Sequence, residues 1–79
     1  MKNKRAKVVM LPTKDIFKIE SNSNIAKYII LNQLGKIALS NTVNKSVTSV
    51  NIQNLTSGIY FAQITLQNGE IIIKKIIKK

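Results

Sequence analysis

The 79-residue sequence contains no cysteine, no histidine and no tryptophan, and only one proline and three glycines. Thiolate and imidazole metal sites, together with Ser–His–Asp and Cys–His catalytic systems, are therefore excluded. Without disulfides, a chain of this length is stabilised by packing alone, and it buries only about 60% of its unfolded surface. We therefore expect one small domain with a single apolar core.

Acidic residues are scarce as well, because Asp15, Glu20 and Glu70 are the only three. Asp15 and Glu20 would point to opposite faces of a strand, so they do not form a glycosidase-type carboxylate pair. A Ca²⁺ or Mg²⁺ site needs more oxygen donors, and isolated glycines do not build a phosphate-binding loop. We therefore predict that the protein is not an enzyme, with no catalytic residue, no metal site and no cofactor.

The net charge of +10 is concentrated at the two ends of the chain. Residues 8–73 hold five basic and three acidic residues, a net charge of +2. Duplex-binding proteins spread cations along a surface, and single-strand binders place aromatic side chains in a basic groove. We therefore predict no nucleic acid as partner and keep a small basic nucleic-acid-binding β-protein as the less favoured alternative.

The basic N-terminus resembles the beginning of a signal peptide, but its apolar run, residues 8–11, ends at Pro12. A secretory signal needs about 7–15 apolar residues and a membrane-spanning helix about 20. We expect no signal peptide in this chain and no membrane insertion. Residues 1–9 are interpreted as a basic N-terminal extension, flexible or linker-derived, that precedes a domain over residues 10–79.

The apolar positions are dominated by β-branched and aromatic residues, including fourteen isoleucines, which favours strands over helices. The seven predicted strands are residues 8–11, 16–20, 25–32, 36–41, 47–52, 59–67 and 70–77. The polar cluster at residues 21–24 is interpreted as a turn between the second and third strands. Short strands at this spacing predict an all-β fold, a small immunoglobulin-like or Greek-key antiparallel β-sandwich.

Asn68 and Gly69 separate the last two strands and predict a two-residue hairpin of type I′, in which both residues have positive φ. In this register Ile71 and Ile73 face the core and Ile72 the opposite side. A competing interpretation makes residues 70–79 a basic amphipathic helix for a membrane surface. The β-branched residues and the short length favour the strand.

The segment Leu55-Thr56-Ser57-Gly58-Ile59-Tyr60 fits the tyrosine corner of Greek-key sandwiches, in which the Tyr hydroxyl bonds to the backbone just upstream. Leu55 would fill the core below the connection, and Gly58 would adopt a backbone angle that other residues avoid. The alternative is that Tyr60 is a half-buried strand residue. In both cases its role is structural.

Three motifs occur in a fixed order: Leu31-Asn32-Gln33-Leu34-Gly35-Lys36-Ile37, then Leu55 to Phe61, then Asn68-Gly69 with the ending Lys74-Lys75-Ile76-Ile77-Lys78-Lys79. With this order and spacing, residues 10–79 resemble the C-terminal sorting domain of the Bacteroidetes type IX secretion system. The family usually opens with a Tyr-Pro-Asn-Pro-like stretch. Here residues 10–17 occupy that place and retain only the proline.

The resemblance implies a folded address label that directs a fused cargo protein through the outer-membrane translocon, from the periplasm to the cell surface. It implies two partners, the translocon and a sortase-like peptidase that often removes the tail. The structural residues that it carries over are Gly35, Leu55, Gly58, Tyr60, Asn68 and Gly69.

A C-terminal strand with isoleucine on both faces would be an exposed edge to which a partner strand can add, and its lysines would attract an acidic receptor. We expect the partner to recognise this strand. The predicted recognition residues are Ile73, Lys74, Lys75, Ile76, Ile77, Lys78 and Lys79. The alternative is a generic β-sandwich interaction module without a role in export, and the sequence leaves the oligomeric state open.

Overall fold

The computed structural model describes residues 7–79, which form an antiparallel all-β fold of five strands. The strands are β1 (Val8–Thr13), β2 (Ile16–Asn32), β3 (Ile37–Asn51), β4 (Gly58–Leu66) and β5 (Ile71–Lys78). Of the extension predicted over residues 1–9, Lys2, Lys4 and Arg5 lie outside the described residues, whereas Val8 is buried in β1. Within residues 7–79 there is no helix that could span a membrane.

The strands form one curled sheet in the order β1-β2-β4-β5, and β3 pairs with β2 as well. Residues 16–20 of β2 pair with β1 and with residues 47–51 of β3. The second half of β2 pairs instead with β4 and with the first half of β3. The sheet therefore has two layers: β1 with residues 16–20 and 47–51 in the first, and residues 25–32 and 37–45 with β4 and β5 in the second.

The all-β sandwich prediction is confirmed, but there are five strands rather than seven, because two pairs of predicted strands are the halves of β2 and β3. The predicted turn at residues 21–24 is a bend within β2, at which the β2–β3 register shifts. There the Ser21 Oγ accepts the Ser23 N–H at 3.0 Å, and the Asn24 carbonyl accepts the Gln67 N–H at 2.9 Å. These hydrogen bonds give partners to backbone groups at the register shift, so the strand bends without ending.

The hydrophobic core lies between the two layers and draws on both of them. Burial alternates regularly along β4, where every second residue from Tyr60 to Leu66 is buried. The buried residues are Val8, Phe17, Ile19, Ile25, Tyr28, Ile30, Val50, Ile52, Tyr60, Ala62, Ile64, Leu66 and Ile76. Each fully buried isoleucine contributes roughly 1.5–3 kcal/mol, so this cluster is the main source of stability.

The predicted β4–β5 hairpin is present, but its loop has three residues rather than two. The Gly69 N–H donates to the Leu66 carbonyl at 2.9 Å, and the Leu66 N–H donates to the Glu70 carbonyl at 2.8 Å. Gly69 has a φ of 95°, whereas Asn68 is not among the residues with positive φ. This is a type I turn followed by a left-handed glycine, so the predicted type I′ turn is wrong.

The additional loop residue exchanges the buried and exposed faces of β5 relative to the sequence prediction. A two-residue loop would place Ile71 opposite Leu66, on the buried face. In the structure Ile72 lies opposite Ile64, and Ile71 and Ile73 are exposed. A shift of one residue moves every side chain of a strand to the other face, which is why the predicted inward orientation of Ile71 and Ile73 is wrong.

The observed register of β5 predicts that substitutions of two neighbouring isoleucines, Ile76 and Ile77, have different effects on stability. Ile76 is 1% exposed and Ile77 is 57% exposed. We expect Ile76→Val to lower the free energy of unfolding by about 0.5–1.5 kcal/mol, the usual cost of removing a buried methylene, and Ile77→Val to change it little. Urea denaturation of the two variants measures the difference. A larger loss for Ile77→Val would mean that β5 has the register of the two-residue loop.

Candidate recognition strand and its supporting corner

β5 forms one end of the sheet and, within residues 7–79, pairs only with β4. The hydrogen-bonded pair of Leu66 and Glu70 sets the alternation of the ladder. In an antiparallel pair, successive residues direct their backbone groups alternately to the partner strand and away from it. The N–H and C=O groups of the odd-numbered residues 71–77 therefore point to the open side, where they form a template for an added strand.

The opposite end of the sheet, β1, is less open because of Pro12. The Asn22 N–H donates to the Lys7 carbonyl at 3.2 Å, which places the β1–β2 ladder bonds at odd-numbered residues of β1. Pro12, opposite Phe17, therefore lies where an N–H would point to the open side. Proline has no N–H to offer an added strand, so β5 is a more complete template than β1. Within residues 7–79, β3 pairs only with β2 and is a third open edge.

The structure separates the seven predicted recognition residues into two groups. Ile73, Lys75 and Ile77 are exposed, whereas Lys74, Ile76 and Lys78 lie on the side of β5 that faces the core, and Lys79 is exposed at the end of the chain. Ile76 belongs to the core cluster. The C-terminal segment is therefore not one uniform surface, and a partner that approaches from solvent meets only part of it.

Lys78 connects the two layers instead of projecting into solvent. Its Nζ donates to the Gln53 carbonyl at 3.2 Å and lies 3.6 Å from Asp15 Oδ1, and its side chain is 11% exposed. Asp15 lies in the β1–β2 turn and Gln53 follows β3, so both partners belong to the first layer. The roles of Asp15 and Gln53 were not predicted. The alternation of faces along β5 could have predicted that Lys78 and Lys75 lie on opposite sides of the strand. It does not identify Asp15 and Gln53 as partners of Lys78, because they are distant in sequence.

Lys78→Met tests this connection, with Lys75→Met as the matched control on the same strand. We expect Lys78→Met to lower the free energy of unfolding by about 1–2 kcal/mol, because it leaves the Gln53 carbonyl and the Asp15 carboxylate without their cation. Lys75→Met removes an exposed cation and should cost less than about 0.5 kcal/mol. Urea denaturation compares them, and equal stability of the two variants would contradict a connecting role for Lys78.

Tyr60 fixes the beginning of β4 through its hydroxyl. The hydroxyl donates to the Thr56 carbonyl at 2.7 Å and lies 3.2 Å from Thr56 Oγ1. Gly58, between them, has a φ of 151°, and Leu55 packs against the core. This is the hydrogen bond that the tyrosine-corner interpretation requires. Because Tyr60 lies opposite Ile76, the corner also positions the last part of β5.

The value of this hydrogen bond can be measured by comparing the two tyrosines. Tyr60→Phe removes the donor to Thr56 and should cost about 0.5–1.5 kcal/mol of unfolding free energy. Tyr28 is the matched control, because it is equally buried but its hydroxyl has only a 3.5 Å contact with Asn41. We expect Tyr28→Phe to cost less in thermal or urea denaturation. The reverse order would contradict the corner.

The β2–β3 turn closes in the same way as the β4–β5 turn. The Gly35 N–H donates to the Asn32 carbonyl at 3.0 Å, and Gly35 has a φ of 83°. Asn32 Oδ1 also accepts the N–H groups of Leu34 and Lys36, at 2.9 and 3.0 Å. Asn32 was not predicted to have this role, although asparagine at the first position of a type I turn is a recognisable signal.

A solved structure with this fold supports the sandwich architecture. The chain is similar to a DUF3244 family protein with an immunoglobulin-like β-sandwich fold from Bacteroides vulgatus ATCC 8482, with a TM-score of 0.81 and 13% sequence identity. The match covers 91% of this chain and 83% of the other. At this identity the likeness shows the fold alone. The comparison with curated proteins gives no match.

The family comparison agrees with the motifs in the sequence. The family described as "Secretion system C-terminal sorting domain" matches residues 11–79, nearly the whole chain. Neither sorting tails nor immunoglobulin-like sandwiches are typically enzymes. The family also implies an exported protein on its way to the cell surface and an interaction with the secretion machinery. The chain therefore belongs to the C-terminal sorting domains of the type IX secretion system, and its general role is that of a sorting signal.

Proposed function

We propose that this domain directs a fused cargo protein through the outer-membrane translocon, and that the translocon recognises it mainly through β5. The observation that carries the proposal is the open edge of β5, where the odd-numbered residues direct outward backbone groups that have no strand partner within residues 7–79. A strand of the translocon that adds to this edge would gain main-chain hydrogen bonds, and its side chains would give specificity.

Charge supports the same strand. Lys75 and Lys79 are exposed, so their ammonium groups are free to approach an acidic receptor and accelerate the encounter. Lys74 and Lys78 lie on the inward side of β5, and Lys78 is already paired. Of the predicted recognition residues, we therefore assign direct contact to Ile73, Lys75, Ile77 and Lys79, and positioning of the strand to Lys74, Ile76 and Lys78.

On this proposal the domain performs no reaction. It crosses the periplasm as the tail of its cargo, the cargo supplies the export signal, and the sortase-like peptidase implied by the resemblance separates the two at the cell surface. We assign residues 10–79 to the sorting domain and residues 1–9 to the N-terminal extension, of which Val8 and Val9 already belong to β1.

Lys75→Pro blocks the open edge and leaves the core intact. The N–H of Lys75 points away from β4, so proline at this position removes no ladder bond. The full chain is fused to an exported reporter in a type IX-competent cell, and surface-exposed reporter is measured. We expect a drop of about tenfold, the effect of losing about 1.4 kcal/mol of recognition free energy.

The comparison variant is Lys75→Thr, which keeps the backbone N–H and removes the charge, so the difference in delivery between the two variants isolates the effect of the edge from that of the cation. Urea denaturation of each purified domain verifies folding; this is a sharper design than deletion of residues 74–79, which also removes Ile76 from the core. Wild-type surface delivery by a folded Lys75→Pro domain would show that the edge of β5 is not recognised. Normal delivery with loss of another complex would instead indicate an interaction module without a role in export.

A further inference from the structure

The solvent-facing side of the second layer carries an apolar surface that the core does not use. We call it the outer face. It is composed of half-buried residues that lie outside the core cluster, together with exposed residues beside them in the sheet. Its apolar members are Ile29, Leu31, Ile37, Ile59, Phe61, Ile71, Ile73 and Ile77.

The strand register makes this surface continuous across four strands. Phe61 lies at its centre, with Leu31 of β2 on one side and Lys75 of β5 on the other. Ile37 of β3 lies opposite Leu31 and extends the same row. Paired residues of neighbouring strands project from the same face, so these side chains are neighbours. Contiguous apolar patches on small soluble proteins usually mark interaction sites.

Among residues 7–79, Lys75 is the cation that lies within this apolar field, and Lys79 follows at the end of the chain. Lys75 is flanked along β5 by Ile73 and Ile77 and lies opposite Phe61. Lys27 is at the margin of the field, opposite Thr65. Any partner that covers the face must therefore either leave the Lys75 ammonium access to water or provide a negative charge for it.

The acidic residues of the chain do not provide that charge. Within residues 7–79, Asp15 lies by Lys78 and Glu20 by Lys18, and Glu70 belongs to the β4–β5 turn. The outer face thus carries cations without a carboxylate of its own. A second copy of this chain, packed face to face, would bring lysine against an apolar surface or against another lysine.

Charge also distinguishes a protein partner from a membrane. Insertion of the outer face into lipid would bring Lys75, which lies opposite Phe61, towards hydrocarbon, which is costly for an ammonium group. A protein surface can place a carboxylate opposite Lys75 and apolar side chains around it, the arrangement typical of interface centres.

We propose that the outer face docks a protein partner whose contact surface is apolar around a carboxylate that pairs with Lys75. This inference rests on the proposed function: the partner is a subunit of the translocon, and recognition extends from β5 to Phe61 of β4 and Leu31 of β2. The C-terminal segment supplies the edge, the cation and three exposed isoleucines, and β2 and β4 extend the apolar surface with half-buried side chains.

The first test uses residues outside β5. Phe61→Thr and Leu31→Thr keep a residue that favours strands and remove apolar area from the centre of the outer face. In the reporter fusion each should lower surface delivery by about tenfold, the effect of losing an apolar contact at an interface centre. The matched control is Val47→Thr, an exposed valine of the first layer, for which delivery should equal wild type.

The outcomes separate the two proposals. If Phe61→Thr and Leu31→Thr deliver the reporter normally while Lys75→Pro does not, the outer face is not a docking surface and recognition through the edge of β5 stands. If Phe61→Thr, Leu31→Thr and Lys75→Pro all deliver the reporter normally, both proposals fail. A photo-cross-linking side chain at position 61 of the otherwise wild-type fusion avoids dependence on folded Thr variants. It should capture a translocon subunit at a peptide that contains Asp or Glu, and capture of the cargo or of a second copy would overturn the inference.

The carboxylate is tested by charge reversal. Lys75→Glu should lower delivery by more than about tenfold, because like charges then oppose each other in a desolvated contact. Lys45→Glu makes the same change at an exposed lysine opposite Ile25, outside the outer face, and should be neutral. Equal effects of the two would show that only net charge matters. Binding of the purified protein to phosphatidylglycerol vesicles, without a cross-linked protein, would assign the face to a membrane instead.

Discussion

The register of β5 against β4 is the constraint on which the rest of the domain depends. Gly69 adopts a left-handed conformation, the loop has three residues, and Ile76 enters the core as a consequence. The same register carries Lys78 across to the first layer and turns Lys75 outward. A loop shorter by one residue would exchange all of these positions at once, because alternate residues of a strand occupy opposite faces. A turn at one end of the hairpin thus decides which side chains a partner meets at the other end.

The curled sheet explains how so small a chain has both a closed core and an open edge. Two long strands, β2 and β3, bend together and contribute to both layers, so the core needs no second sheet and no helix. A sheet that curls without closing keeps free edges, and within residues 7–79 these are on β1, β3 and β5. Proline interrupts the edge at β1, and the edge at β5 carries both isoleucines and lysines. Such lysines disfavour indiscriminate pairing with other chains while leaving the backbone groups available to a partner with complementary charge.

The fold class, the β4–β5 hairpin and the family could be predicted from the sequence because each depends on local pattern: alternation, turn residues and ordered motifs. The turn type could not, because Asn-Gly suits both a two-residue type I′ loop and the final positions of a three-residue loop. The polar cluster at residues 21–24 was predicted to be a turn between two strands, whereas it forms a bend within β2. The sequence does not distinguish the two, because asparagine and serine favour turns and bulges alike. The role of Lys78 depends on Asp15 and Gln53, which only the folded chain brings near it.

On the proposed function, the eight residues of β5 must satisfy two demands that compete for the same positions. The strand has to pack against a small core that supplies little excess stability, and it has to present groups that a receptor can distinguish. Alternation resolves the competition by assigning even-numbered residues to the core side and odd-numbered residues to the outer face. On this proposal, changes at even positions act on recognition through stability, whereas changes at odd positions act on it directly. Because a truncation removes both classes together, only substitutions chosen by face can show which property a secretion defect reports.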